Sequence, residues 1–149
     1  MQSLARVVAS LTLVLPLMQN VAAQTIDTFN PLPQGSPKAL AIQPDGKILI
    51  GSSFQNVAGV VRRGAARLNP DGSVDMSFSD PAATGDVVAI AVQADGKLLV
   101  GGSFDTIGGA TRHSLARLNA DGTLDASFAD PGLDSEVWSI AVQPDGKVL

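Results

Sequence analysis

The chain has 149 residues, no cysteine, and 10 basic against 14 acidic residues, for a formal net charge of −4. Without thiols it can form no disulfide, so an exported form must draw its stability from packing. The charges are spread evenly, which excludes the basic stripe of a nucleic-acid binder and the polybasic patch of an anionic-membrane binder.

Residues 1–23 read as a secretory signal peptide. Arg6 precedes an apolar run over 7–18, and Val21-Ala22-Ala23 offers the small residues that signal peptidase accepts. The run falls short of the roughly 20 apolar residues that cross a bilayer, and Pro16 interrupts it. The expectation is an exported protein (extracellular, cell-surface or periplasmic) that begins at Gln24 and is not inserted in a membrane after cleavage.

From residue 24 onward the chain repeats itself. Gln43-Pro44-Asp45-Gly46-Lys47 returns as Gln93-Ala94-Asp95-Gly96-Lys97 and as Gln143-Pro144-Asp145-Gly146-Lys147. Ala66-Arg67-Leu68-Asn69-Pro70-Asp71-Gly72 returns as Ala116-Arg117-Leu118-Asn119-Ala120-Asp121-Gly122, and 24 of the 50 positions in 41–90 are identical in 91–140. A fixed period of this size marks stacked supersecondary units such as propeller blades. The region 24–149 then divides into a partial blade (24–40), repeat 1 (41–90), repeat 2 (91–140) and the start of repeat 3 (141–149).

Each repeat reads as four short strands. Residues 87–93 alternate, with Val88, Ile90 and Val92 on one face and Ala89 and Ala91 on the other, which is the strand period. Asp95-Gly96 breaks the run before Leu98-Leu99-Val100, and Asp-Gly between apolar runs signals a hairpin because glycine takes the positive φ of the turn. A second hairpin runs from Ser114 through Asp121-Gly122 into a fourth strand heading for Phe128. Gly51, Gly101 and Gly102 close a strand of branched residues and imply a bulge or close backbone approach. No helical period follows the signal segment, and turn residues recur every eight to twelve positions, as in all-β domains. The expected fold is all-β: tandem four-stranded antiparallel blades of about 50 residues, forming a partial β-propeller.

The units Ile90–Phe104 and Leu115–Asp125 with Phe128 resemble the delta-60 repeat of bacterial secreted proteins, a family similar to kelch-type β-propellers. The resemblance covers nearly all of 25–149 and implies many tandem copies, but no general biochemical activity. Ile26 to Phe29 resembles the tail of a blade. Propellers close with about four to eight blades, so two and a half repeats suggest the first part of a longer protein. An open stack also leaves a sheet edge prone to self-association.

No constellation of side chains reads as catalytic. Asn69, Asp71 and Asp75, and their counterparts Asn119, Asp121 and Asp125, fail the calcium-loop pattern, because Arg67 or Arg117 stands first and Phe78 or Phe128 twelfth. They read as turn residues bonding local backbone. Asp75, Asp125 and the pairs Asp80-Pro81 and Asp130-Pro131 occur in every copy, whereas a catalytic pair is needed once. Arg67 and Arg117, inside strands, call for a partner such as an acid in a neighbouring blade. Arg62 and Arg112 lie in loops, the expected place for a ligand on one rim, with surface ion pairing the simpler role. His113, the single histidine, reads as a solvated loop residue; alone it makes no metal site, and no nucleophile elbow accompanies it. Trp138, the single tryptophan, reads as a strand residue packed between blades, and exposed aromatic platforms for sugars are scarce. Gly101-Gly102-Ser103 lacks the lysine and helix of a phosphate loop.

The resulting expectation is a non-catalytic exported scaffold or binding module for a protein or carbohydrate ligand, with no catalytic residue, metal, cofactor or nucleic-acid partner. One alternative is the N-terminal part of a propeller hydrolase or lyase whose active residues lie in further blades. Another is an incomplete product without independent function.

Overall fold

The computed structural model describes residues 35–149. The expected signal peptide and most of the partial blade 24–40 lie outside the described residues. Blade 1 is a sheet of β1 (Ala39–Ile42), β2 (Ile48–Gly51) and β5 (Ala65–Leu68), antiparallel in the order β1-β2-β5. Two small strands, β3 (Asn56–Val57) and β4 (Val60–Val61), form a separate hairpin between β2 and β5. Blade 2 repeats the plan with β6 (Val87–Val92), β7 (Leu98–Gly102) and β10 (Leu115–Leu118), plus a hairpin of β8 (Thr106–Ile107) and β9 (Ala110–Thr111). A third unit begins with the antiparallel bridge Val142–Val148. No helix occurs among the described residues.

The fourth strand of each blade is present at its minimum, as a single bridge: Leu68 to Val74 and Leu118 to Leu124. The chain leaves the ladder because Asp75 bonds the next residues itself. Its Oδ1 accepts from the Ser77 amide and hydroxyl, at 2.9 and 2.6 Å. Local side-chain bonding of this kind competes with sheet pairing. The small hairpins escaped the sequence reading. Their turns carry positive φ at both central residues, Ala58 and Gly59 in one and Gly108 and Gly109 in the other; the first lacks the Asn, Asp or Gly that flags such a turn at its leading position, while the second carries it as Gly-Gly.

The blades stack through their inner strands. Val87 and Ile90 of blade 2 lie on Gly51 so closely that a Cβ there would come 2.9 Å from Val87 Cγ1 and 3.1 Å from Ile90 Cδ1. Val137 and Ile140 meet Gly101 in the same manner. The β6–β7 register shifts between Val87 and Ala89, so Val88 is bulged. The glycines thus serve both purposes expected of them. The main core cluster spans this joint, with Leu49 of blade 1 beside Phe78, Val87, Leu98, Val100 and Phe104.

The structure corrects the reading of Trp138. It stands at the position of Val88 and, rather than packing between blades, is 72% exposed. Residues 136–141 form no strand, so the alternation read from the position of Val88 does not carry over to it.

Candidate functional site

The repeated carboxylates are engaged within the blade. Asp75 Oδ2 accepts from Lys47 Nζ and from Arg67 Nε, both at 2.7 Å, while Oδ1 holds Ser77. Burial by itself raises the Asp75 pKa, but the bonds from Lys47, Ser77 and Arg67 outweigh it and hold the group well below the usual carboxylate range. Asp125 repeats this with Lys97, Ser127 and Arg117 and is likewise depressed, mainly by Lys97. The partner expected for Arg67 in a neighbouring blade is therefore an acid of its own blade. Register explains this: Arg67 faces Leu49, and the short link after β5 brings the Asp75 amide back to the Arg67 carbonyl at 2.9 Å.

Asp71 Oδ1 takes the Ser73 amide and hydroxyl, and Asp121 the same groups of Thr123, which lowers both carboxyl pKa values. These are turns closing on themselves, the local role read from the sequence. Among the described residues no His, Cys, Asp and Glu side chains converge as a metal site would require.

On the loop side, Arg62 directly follows β4 and is buried, donating to the Val61 carbonyl at 2.9 Å; its Nε meets no acceptor among the described residues. Arg112 donates to the Thr111 carbonyl at 2.7 Å. Neither forms an ion pair among the described residues; the ion pair belongs to the next position, where Arg63 Nε meets Asp80 Oδ2 at 2.9 Å. In the second copy His113 Nδ1 lies 2.6 Å from Asp130 Oδ2, and the His113 amide donates to Oδ1. His113 is thus tethered, not simply solvated. The His113 and Gly132 amides bring Asp130 down to about 2.

Three repeats converge on open space at a cavity of about 790 Å³, at the turn end of the inner strands. Ile42, Val92 and Val142 form its apolar part, and Gln43, Gln93 and Gln143 its polar part, with Asp95 as the charged member. Gln43 Oε1 and Gln93 Oε1 are enclosed and meet no donor among the described residues. The glutamines were visible as the first letter of the repeated turn signature, but nothing in the sequence separated a cavity residue from a turn marker. At the opposite end Leu40, Val88 and Trp138 border a smaller space of about 230 Å³.

Residues 43–78 and 93–128 each match one family model, described as a domain of unknown function (DUF5122) beta-propeller. These stretches are β-propeller repeats. The two matches begin fifty residues apart, at Gln43 and Gln93, and end at the paired phenylalanines Phe78 and Phe128. Each therefore takes in both Asp-Gly turns of a blade but not its first strand, and stops where the Asp75 or Asp125 network closes. Comparison with curated proteins gives no match.

Proposed function

We propose that this chain is an exported, non-catalytic propeller-repeat module of the delta-60 type that binds a neutral polar ligand, carbohydrate or protein loop, at the cavity ringed by Gln43, Gln93 and Gln143. The observation that carries the reading is the contrast between the two sets of polar groups. The repeated carboxylates Asp75 and Asp125 are saturated by internal bonds and lie far below the pKa that acid–base catalysis needs near neutrality. The three glutamines line open space instead, although the Oε1 atoms of Gln43 and Gln93 are enclosed away from it. An apolar wall with a few convergent polar groups is the usual build of a small-ligand site.

The test is binding of the mature chain to glycan and peptide arrays, repeated with the Gln43→Ala, Gln93→Ala, Gln143→Ala triple variant. Loss of a specific signal in the folded variant supports the reading; a signal indifferent to all three glutamines refutes it. The export part is checked separately by N-terminal sequencing of the secreted protein, expected to begin at Gln24.

A further inference from the structure

The two blades carry four Asp-Gly turns: Asp45-Gly46 and Asp95-Gly96 in the first hairpins, Asp71-Gly72 and Asp121-Gly122 in the second. This dipeptide has a chemistry of its own. The glycine amide nitrogen attacks the aspartate side-chain carbonyl carbon; an N–Cγ bond forms, a Cγ–O bond breaks, and water leaves a cyclic imide. Water then adds back at either imide carbonyl. The main chain runs afterwards through its old carbonyl, as aspartate, or through Cγ, as isoaspartate. The sum is an isomerisation that needs no reactant but water. Glycine favours it because no Cβ hinders the attacking nitrogen.

The four turns have much in common. Every aspartate is exposed. Each glycine amide donates to a carbonyl of its own turn: Gly46 to Gln43, Gly72 to Asn69 and Gly122 to Asn119 at 2.9 Å, and Gly96 to Gln93 at 3.0 Å. They differ at the carboxyl group. Among the described residues Asp45 Oδ1 accepts only the Lys47 amide, at 3.1 Å, and Asp95 Oδ1 only the Lys97 amide, at 3.0 Å. Asp71 Oδ1 accepts both the amide and the hydroxyl of Ser73, at 2.9 and 2.6 Å, and Asp121 Oδ1 those of Thr123, at 3.0 and 2.6 Å. Each hydroxyl is itself held, by Asn69 Nδ2 or Asn119 Nδ2 at 3.0 Å. The first hairpins have glutamine and lysine at those two positions, so they lack this relay.

The relay restrains the carboxyl group and lowers the pKa of Asp71 and Asp121, which favours the charged form, a poor source of leaving water. The second turns are also the tighter ones, with Gly72 and Gly122 buried where Gly46 and Gly96 are half-buried. Blade 1 grips the last of them. Arg67 Nη1 donates to the Ala120 carbonyl at 2.6 Å, the Ser79 amide donates to the Asp121 carbonyl at 2.7 Å, and Gly122 rests on the Phe78 ring. We infer that Asp45 and Asp95 convert spontaneously to isoaspartate in the folded protein, and that the asparagine–hydroxyl relay guards Asp71 and Asp121 against the same reaction. Conversion adds one carbon to the main chain at the bend between β1 and β2 or between β6 and β7. Asp95 and Gly96 stand on the wall of the glutamine cavity, but the reaction requires no ligand there.

The test ages the full mature chain at neutral pH in H₂¹⁸O, folded or in urea, and digests it at intervals. Each passage through the imide incorporates one heavy oxygen, and isoaspartyl peptides separate from aspartyl ones by chromatography. In the folded chain isoaspartate is expected at Asp45 and Asp95 about tenfold or more faster than at Asp71 and Asp121, the factor of one additional hydrogen bond to a charged group. In urea the rates are expected to converge, because proline precedes both Asp45 and Asp71, and alanine both Asp95 and Asp121. Ser73→Ala, at an exposed position, is expected to raise the folded-state rate at Asp71 toward that at Asp45. The urea comparison needs no variant and stands even if Ser73→Ala fails to fold. Equal rates at the four sites of the folded chain, a difference that persists in urea, or an unchanged Asp71 rate in folded Ser73→Ala would each overturn the inference.

Discussion

Gly96 and Gly122 are both turn glycines, with φ of +83° and +86°, yet replacing each by alanine should have unequal effects. The strain of placing a Cβ in the left-handed region is common to both and costs about 1–2 kcal/mol. At Gly96 the added methyl meets only Ala120 Cβ, at 3.8 Å, an ordinary contact. At Gly122 it would stand 2.7 Å from the Ser79 carbonyl oxygen and 3.0 Å from two Phe78 ring carbons. Backbone on one side and a fully buried ring on the other leave little room to yield, and overpacking of this sort costs about 1–3 kcal/mol. Retreat of the turn would also stretch the bonds from Arg67 and Ser79, each worth about 0.5–1.5 kcal/mol. Gly96→Ala should therefore cost about 1–2 kcal/mol and Gly122→Ala about 2–5 kcal/mol. Urea unfolding followed by far-UV circular dichroism, with m-values compared, reads the difference. Two variants within about 0.5 kcal/mol of each other, at equal m, would refute the seating of the turn on Phe78.

Other expectations concern the network, the acid limit and the indole. Arg67→Ala removes a nearly buried partner of Asp75 and the donor to Ala120, and should cost about 2–3 kcal/mol; Arg117→Ala should cost less, and equal melting shifts would contradict the difference in their surroundings. The folded-state pKa values of Asp75, Asp125 and Asp130 lie below the unfolded value. Their stabilisation is thus complete above the ordinary carboxylate pKa of about 3.9 and is lost as pH falls through the lower folded values. The gap in urea midpoint between wild type and Asp125→Asn should be constant from about pH 5 to 7 and narrow below about pH 4; a gap that widens on acidification would reverse the sign. Trp138 should fluoresce as a water-exposed indole and be quenched by iodide almost as readily as a free analogue; a blue-shifted, protected emission would place it back between blades.

The period and the Asp-Gly turns made the blades legible, because each turn imposes its geometry within a few residues. What escaped depends on register or distance. Trp138 belongs to a stretch, 136–141, that forms no strand, so the alternation of the earlier repeat says nothing of its exposure. The acid paired with Arg67 was sought in another blade, although one turn suffices to bring Asp75 back. The inter-blade seat is made partly of main-chain carbonyls at Ala120 and Asp121, atoms that every residue carries, so no side-chain pattern announces it. The glutamine ring shares its spacing with the turn it opens, and only the convergence of three repeats distinguishes the two roles.

The seating of one turn on the preceding unit gives the fold a direction in time. Arg67 and its partner on the turn are 53 residues apart. As the chain emerges from the ribosome, blade 1 can complete its own ladder early, but Phe78 stays uncovered until Gly122 has followed. Each unit is therefore finished by its successor, and the nascent protein carries one provisional blade at its growing end.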